Sequence, residues 1–256
     1  MDLSPSSHEN EPWIQLTEKK QFSRLLYTNP VCFLSTFAAG DSSSSPGRRN
    51  VMVLSWLTAT SNEGTFMCSI NRRRHTASVL CSGVVSEFVL SVPVMGMETL
   101  VRDVGRVSGR WGSKFPQDHN EQEVQQQADA CEEHISKRQA KKRSRMSLTA
   151  LGIPGLDAVP FGNQLRTHAT HQLDARLQPF AIQGTVAHLN CSIYKRLDNL
   201  IDDDHLLILG KVTAAYVNPS YWDSTRNLFH PDLEKPPYLT FLGSQEFGYA
   251  VTQATY

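Results

Sequence analysis

Arg72, Arg73 and Arg74 stand together before His75 and Thr76, directly after the apolar run Thr65 to Ile70. Guanidinium forks, a hydroxyl and the unpaired N–H groups of a helix start are the kinds of group that hold a phosphate dianion. The same residues also read as a solvated basic turn followed by an ordinary helix cap, and the cluster alone does not separate the two. A second apolar run, Asn50-Val51-Met52-Val53-Leu54-Ser55-Trp56, precedes the first. Two strand-like runs ending on an anion-binding cluster are what a phosphate-bearing aromatic cofactor needs. Other chemistry is sparse. The five cysteines, Cys32, Cys68, Cys81, Cys131 and Cys191, are odd in number, scattered and never spaced as CxxC. That pattern fits neither a disulfide framework nor a zinc site, so buried thiols in a reducing compartment and no metal centre are expected.

These residues need elements to position them. Phe22, Leu25 and Leu26 within Trp13 to Tyr27 have helical spacing, and Pro30 stops that helix. Val31 to Phe37 is β-branched and aromatic enough for a strand, and the run from Gly40 to Gly47 is turn-forming. Val51 to Thr58 and Thr65 to Ile70 are expected to pair as a hairpin around Ser61 to Gly64. Thr76 is placed as the cap of a short helix that runs to Leu80 and ends at Gly83. Glu87 to Val92 follows as a strand, and Glu98 to Val104 as a second helix closed by Gly105.

Later, Ala181 to Arg196 and His205 to Val217 read as a long antiparallel pair, turning at Asp202 to Asp204. Tyr238 to Leu242 and Tyr249 to Val251 supply the last strand or two. Few helices stand between successive strands, so the expected fold is mainly β with peripheral helices, an antiparallel barrel rather than a doubly wound parallel sheet. Residues 1–12 are expected to be a disordered tail, and residues 13–256 one domain.

Gln117 to Arg145 is rich in Gln, Glu, Lys and Arg with almost no large apolar residue, and residues 117–147 read as an exposed polar insertion. Its basic run, Lys137 to Arg145, has Glu132 and Glu133 before it and no interleaved aromatics, which weighs against a nucleic-acid contact. Lysine and arginine together number 25, as do aspartate and glutamate, and the isoelectric point is near 7.1. No global field draws the chain to nucleic acid or to an anionic membrane. No apolar run approaches the about 20 residues of a membrane span, and residues 1–12 resemble neither a secretory signal nor a transit peptide. A cytoplasmic location is the expectation.

The run Asn50 to Trp56 resembles the NxMxxSW strand of the flavin reductase-like proteins. Glu87-Phe88-Val89-Leu90-Ser91-Val92-Pro93 is similar to their EFVLNVP strand, and Ser108-Gly109 with Ser113-Lys114-Phe115 to their SGR and DKF element. His188-Leu189-Asn190-Cys191 resembles HLEC, and Asp204-His205 with Gly210-Lys211-Val212 resembles DHxxxxGxV. The closing strand at Tyr238 to Gly243, followed by Phe247, also corresponds. The ordered set, more than any one motif, carries the resemblance.

The resemblance implies an FMN-binding split β-barrel and a homodimer with the site at its interface. It places Asn50 and Trp56 near the flavin and the backbone from Val51 through Met52 to Ser55 along the ring edge. Ser69, Arg74 and Thr76 would receive the ribityl phosphate, Lys114 would lie close to the cofactor, and His205 and Phe247 would line it, with His205 as the catalytic candidate. The implied activity is hydride transfer from NAD(P)H to flavin, FMN or FAD, with small molecules as partners and no membrane. Two alternatives stay open: an FMN-binding electron-transfer protein without NAD(P)H activity, and a split-barrel scaffold that acts through its basic insertion. Asp203 stands where the family usually has glycine.

Overall fold

The computed structural model describes residues 28–38, 48–83, 85–110, 113–118, 152–161, 179–197, 204–231, 234–243 and 245–250. The expected N-terminal tail and helix, the Gly40 to Gly47 turn, Cys131 and nearly all of the polar insertion lie outside them. In chain order the strands are β1 (Asn29–Pro30), β2 (Cys32–Ala38), β3 (Arg48–Leu54), β4 (Leu57–Ala59), β5 (Thr65–Asn71) and β6 (Glu87–Ser91). There follow β7 (Ala158–Pro160), β8 (Phe180–Ile182), β9 (Ala187–Leu197), β10 (His205–Val217), β11 (Trp222–Asp223), β12 (Leu228–Phe229), β13 (Tyr238–Gly243) and β14 (Glu246–Ala250). Two α-helices are described, α1 (His75–Cys81) and α2 (Glu98–Arg106).

Seven strands form one antiparallel sheet in the order β3-β2-β6-β9-β10-β5-β4. Side chains alternate across a strand, so each strand contributes to two different cores. Cys32 and Leu34 of β2, Met52 and Leu54 of β3, Phe66, Cys68 and Ile70 of β5, and Leu206 and Ile208 of β10 meet in one buried cluster. Phe33 and Val51, from the opposite faces of β2 and β3, join a second cluster with Val101 and Val104 of α2 and Leu239 of β13. The first cluster is the barrel interior, and Ala77 and Leu80 of α1 close onto it.

The connection between β3 and β4 shows that the sheet curls. These two strands are its opposite edges, yet only Ser55 and Trp56 separate them. Three residue steps span at most about 11 Å, so the two edges must come together at this link. An antiparallel split barrel results, with the split at Ser55-Trp56, and the mainly β expectation is met.

Local differences have identifiable causes. The expected single strand from Val51 to Thr58 is two strands, because the chain leaves one sheet edge and joins the other; the hairpin partner of β5 is β4 alone. Gly105 lies inside α2, which continues to Arg106. The run from Ala181 to Arg196 is broken at Gly184, whose φ of 80° makes a turn between β8 and β9. Helix α1 does end as expected, with Gly83 at φ 76° just past its C-cap residue Ser82. Strands β9 and β10 pair antiparallel as expected, and β13 and β14 form a further antiparallel pair.

Candidate functional site

Strand β3 brings Asn50 to the mouth of the barrel. On the same face as Met52 and Leu54, it lies opposite Thr36 of β2. The Asn50 amide Nδ2 donates to Thr36 Oγ1 at 3.1 Å and to Thr76 Oγ1 at 2.9 Å. All three residues are buried, and Asn50 Oδ1 is a buried acceptor without a hydrogen-bond partner. Gly109 closes over this group: a Cβ built on it would lie 2.3 Å from Asn50 Oδ1 and 3.0 Å from His75 Cδ2. Only glycine permits that approach.

Thr76 therefore does not cap α1. The N-cap position is Arg74, which makes no side-chain cap bond, and the Thr76 hydroxyl is turned inward to Asn50. The first N–H groups of the helix have no acceptor within it. Around this end the charges that act on His75 are Arg48, Arg110 and Lys114, all cationic; burial, with their repulsion added, holds the imidazole below its ordinary pKa. Arg74 belongs to the same group, donating from its guanidinium to the Gly105 carbonyl of α2 at 3.0 Å.

Lys114 is buried, not a surface charge. Its Nζ donates to the Val51 carbonyl of β3 at 2.7 Å and to the Val104 carbonyl of α2 at 3.1 Å, tying helix to strand. Burial, with Arg74 adding repulsion, lowers its pKa to about 7. The neighbouring Arg49 pairs with Asp118 and lies over the Phe115 ring at 5.1 Å. Strand β3 is thus held from outside by the segment that follows α2.

At the split the indole of Trp56 is stacked on the imidazole of His205, centroids 5.3 Å apart and planes 19° apart. Trp56 is 40% exposed, so it is no core aromatic. The link is pinned by Ser69 N–H donating to the Trp56 carbonyl at 2.9 Å. Ser69 Oγ is itself buried without a partner. The turn at Asp204 is fixed by Arg72 N–H on its carbonyl at 2.7 Å and by Arg73 on its carboxylate at 3.1 Å, and Arg72 Nε donates to the His205 carbonyl at 3.2 Å. Ser69 of β5 meets Trp56 and Thr76 of α1 meets Asn50, so the chain from Ser69 through the Arg72 to Arg74 turn to Thr76 connects the two groups.

Three other candidates contribute differently. The side chains of Met52 and Val51 point into the two cores, so only their backbone can face a ligand, and the Val51 carbonyl already serves Lys114. Strand β3 is a sheet edge, hydrogen-bonded in the sheet to β2 alone among the described residues. Phe247 shares the outer cluster with Val53 and Phe241 and lies under Arg102 at 5.3 Å. Reading the chain linearly missed Thr36, Arg48, His75, Gly109 and Arg110, whose part depends on cross-strand and loop contacts. The SGR resemblance at Ser108-Gly109 was the one available signal for the last two.

Among the described residues no group of three His, Cys, Asp or Glu side chains is arranged to hold a metal, and no helix is long and apolar enough to cross a membrane. Cys32, Cys68, Cys81 and Cys191 are free thiols. Burial pushes both Cys32 and Cys68 up to about 12, which makes them inert as nucleophiles.

Solved structures share this architecture. Flavoredoxin from Methanosarcina acetivorans is 14% identical with a TM-score of 0.55, covering 96% of this chain and 95% of its own. An FMN-binding protein from Thermus thermophilus, solved with bound 1-cyclohex-2-enone, is 15% identical with a TM-score of 0.54 over 96% and 97% of the two chains. The NADH:FAD oxidoreductase of Streptomyces globisporus C-1027 is 16% identical with a TM-score of 0.52 over 94% and 100%. At these identities the likeness establishes the fold. No curated protein matches the chain. The flavin reductase like domain matches residues 23–230, most of the sequence, and together with the split barrel just described this shows that the chain belongs to the flavin reductase like family.

Proposed function

We propose that this protein is an FMN-binding oxidoreductase of the flavin reductase type that uses NAD(P)H. The observation that supports it most is that the chain from Ser69 to Thr76 links the stacked Trp56 and His205 to the cations around the start of α1, a planar platform and an anion-attracting group. Family membership supports an oxidoreductase in general. The residues fit the cofactor in kind: Asn50 Oδ1 and Ser69 Oγ are buried polar atoms lacking partners, and the nearby charges are cationic.

In this reading Arg74, Thr76 and Ser69, with Arg48 and Arg110 contributing field, hold the phosphate. Asn50 and the open edge of β3 from Val51 to Ser55 hold the ring system. Lys114 keeps β3 and α2 in register and supplies positive charge beside them. Trp56 orients the ring of His205, the residue assigned to catalysis, at the reacting face, and Phe247 lines the site from the outer cluster or across the twofold axis of a homodimer. The flavin, when bound, supplies the hydride-accepting chemistry. A reducing, cytoplasmic location goes with the free thiols.

Reconstitution with FMN and measurement of NADH and NADPH oxidation test the reading. The expected result is a flavin absorption spectrum and turnover with at least one nicotinamide. Failure to retain FMN would overturn it. Retention without oxidation of either nucleotide would favour one-electron transfer instead. Light scattering of the purified protein tests the dimer.

A further inference from the structure

Among the described residues four arginines are paired with carboxylates: Arg49 with Asp118, Arg73 with Asp204, Arg106 with Asp103 and Arg226 with Asp223. Arg48, Arg74 and Arg110 differ. They are exposed, and among the described residues none of them has a carboxylate partner. They come from three places, the start of β3, the turn before α1 and the loop after α2, yet they meet at the barrel mouth. Arg48 is on the same face of β3 as Asn50, and Gly109, packed against Asn50 Oδ1 and the His75 ring, brings Arg110 to the same group. Cations gathered without a counter-charge attract an anion.

The cluster has two centres. Arg74 reaches across to the Gly105 carbonyl of α2 at 3.0 Å, and its charge acts on Lys114. Arg48 and Arg110 act on His75 instead. A guanidinium fork matches the oxygens of one phosphate, so a single phosphate on Arg74 leaves Arg48 and Arg110 without an anion. A second phosphate joined directly to the first would meet them, because Arg74 and His75 are consecutive residues.

We propose that the flavin site is built for a pyrophosphate, so that FAD binds in preference to FMN, its flavin-side phosphate on Arg74 and its adenosine-side phosphate on Arg48 and Arg110. This rests on the flavin reading above and narrows it.

Fluorescence titration of the full chain with FAD and with FMN at one ionic strength tests the proposal. FAD should bind at least about tenfold more tightly. Arg48→Gln and Arg110→Gln should each weaken FAD about tenfold, the usual value of a charge-assisted hydrogen bond, and FMN less than about threefold; Arg74→Gln should weaken both flavins alike. All three side chains are exposed, so the melting temperature should hold. FMN binding as tightly as FAD overturns the proposal and leaves the flavin reading standing. A preference for FAD that survives both Arg48→Gln and Arg110→Gln overturns it as well, as does an equal loss of the two flavins in those variants. Weakened NADPH binding with unchanged FAD affinity would give these arginines to a nucleotide 2′-phosphate and would also overturn it. Binding of neither flavin removes the flavin reading itself, and the proposal with it.

Discussion

Trp56 and His205 flank β5, Trp56 on the link into β4 and His205 at the first residue of β10, and their rings stack at 5.3 Å and 19°. Neither ring is in a core. The stack therefore contributes little to folding and much to where the imidazole sits. Trp56→Ala should lower FMN affinity by roughly 2- to 10-fold, the value of an aromatic pair, while shifting the melting temperature only slightly. Fluorescence titration with FMN, paired with thermal melts, checks this. Unchanged affinity would remove Trp56 from the site.

Gly109 and Asn50 make a second test. Because a Cβ on Gly109 would fall within 2.3 Å of Asn50 Oδ1, Gly109→Ala must push the Asn50 amide off Thr76 or lift the loop from the barrel mouth. FMN affinity should fall at least about tenfold, since a displacement near 1 Å undoes a preorganised site. Shortening Asn50 to alanine in the same chain should relieve the clash and recover part of the affinity lost beyond that of Asn50→Ala. Strict additivity of the two substitutions would mean that the contact is not what matters.

How much of this was legible in the sequence depended on the range of the contacts. The alternation of Cys32, Leu34, Met52 and Leu54 against Val31, Phe33, Val51 and Val53 is local and showed the strands directly. The break at Ser55-Trp56 was not local. Nothing in Val51 to Thr58 signals that the chain changes sheet edges, because the cause is a closure set by β9 and β10 far along the sequence. Thr76 read as a cap for a similar reason: its preference for a helix start is visible, whereas the Asn50 amide that turns its hydroxyl inward is 26 residues away. Nothing in the sequence around Lys114 signals its burial, since only the packing of α2 on β3 encloses it.

The burial of Lys114 has a consequence for stability against pH. Its folded pKa of about 7 lies below the ordinary lysine value of 10.5, so between those limits the unfolded chain binds a proton that the folded chain does not. Stability therefore rises as pH rises from about 7 to 10.5, by at most about 1.4 kcal/mol per pH unit from this group, and is insensitive to it below that window. Lys114→Met should be less stable overall, because the Val51 and Val104 carbonyls lose their donor, and should show a flatter slope from pH 7.5 to about pH 9.5. Urea denaturation across that range measures both. Parallel slopes would place the charge outside the barrel wall.

Gly210 and Phe66 face each other across β10 and β5, and the ring fills the space a side chain would need. A Cβ on Gly210 would meet three ring carbons at 2.4, 2.8 and 2.9 Å, and that ring is packed edge-on against Phe88 in the barrel interior. The ring cannot move without disturbing the core, so Gly210→Ala should cost roughly 1–3 kcal/mol and lower the melting temperature by several degrees. Phe66→Leu alone should also destabilise, by leaving a void. Combined, the two should cost less than their sum, because the smaller side chain admits the methyl group. A double-mutant cycle by chemical denaturation reads the coupling directly, and a coupling near zero would show that glycine at 210 answers to the irregular β9 register beside it and not to the ring.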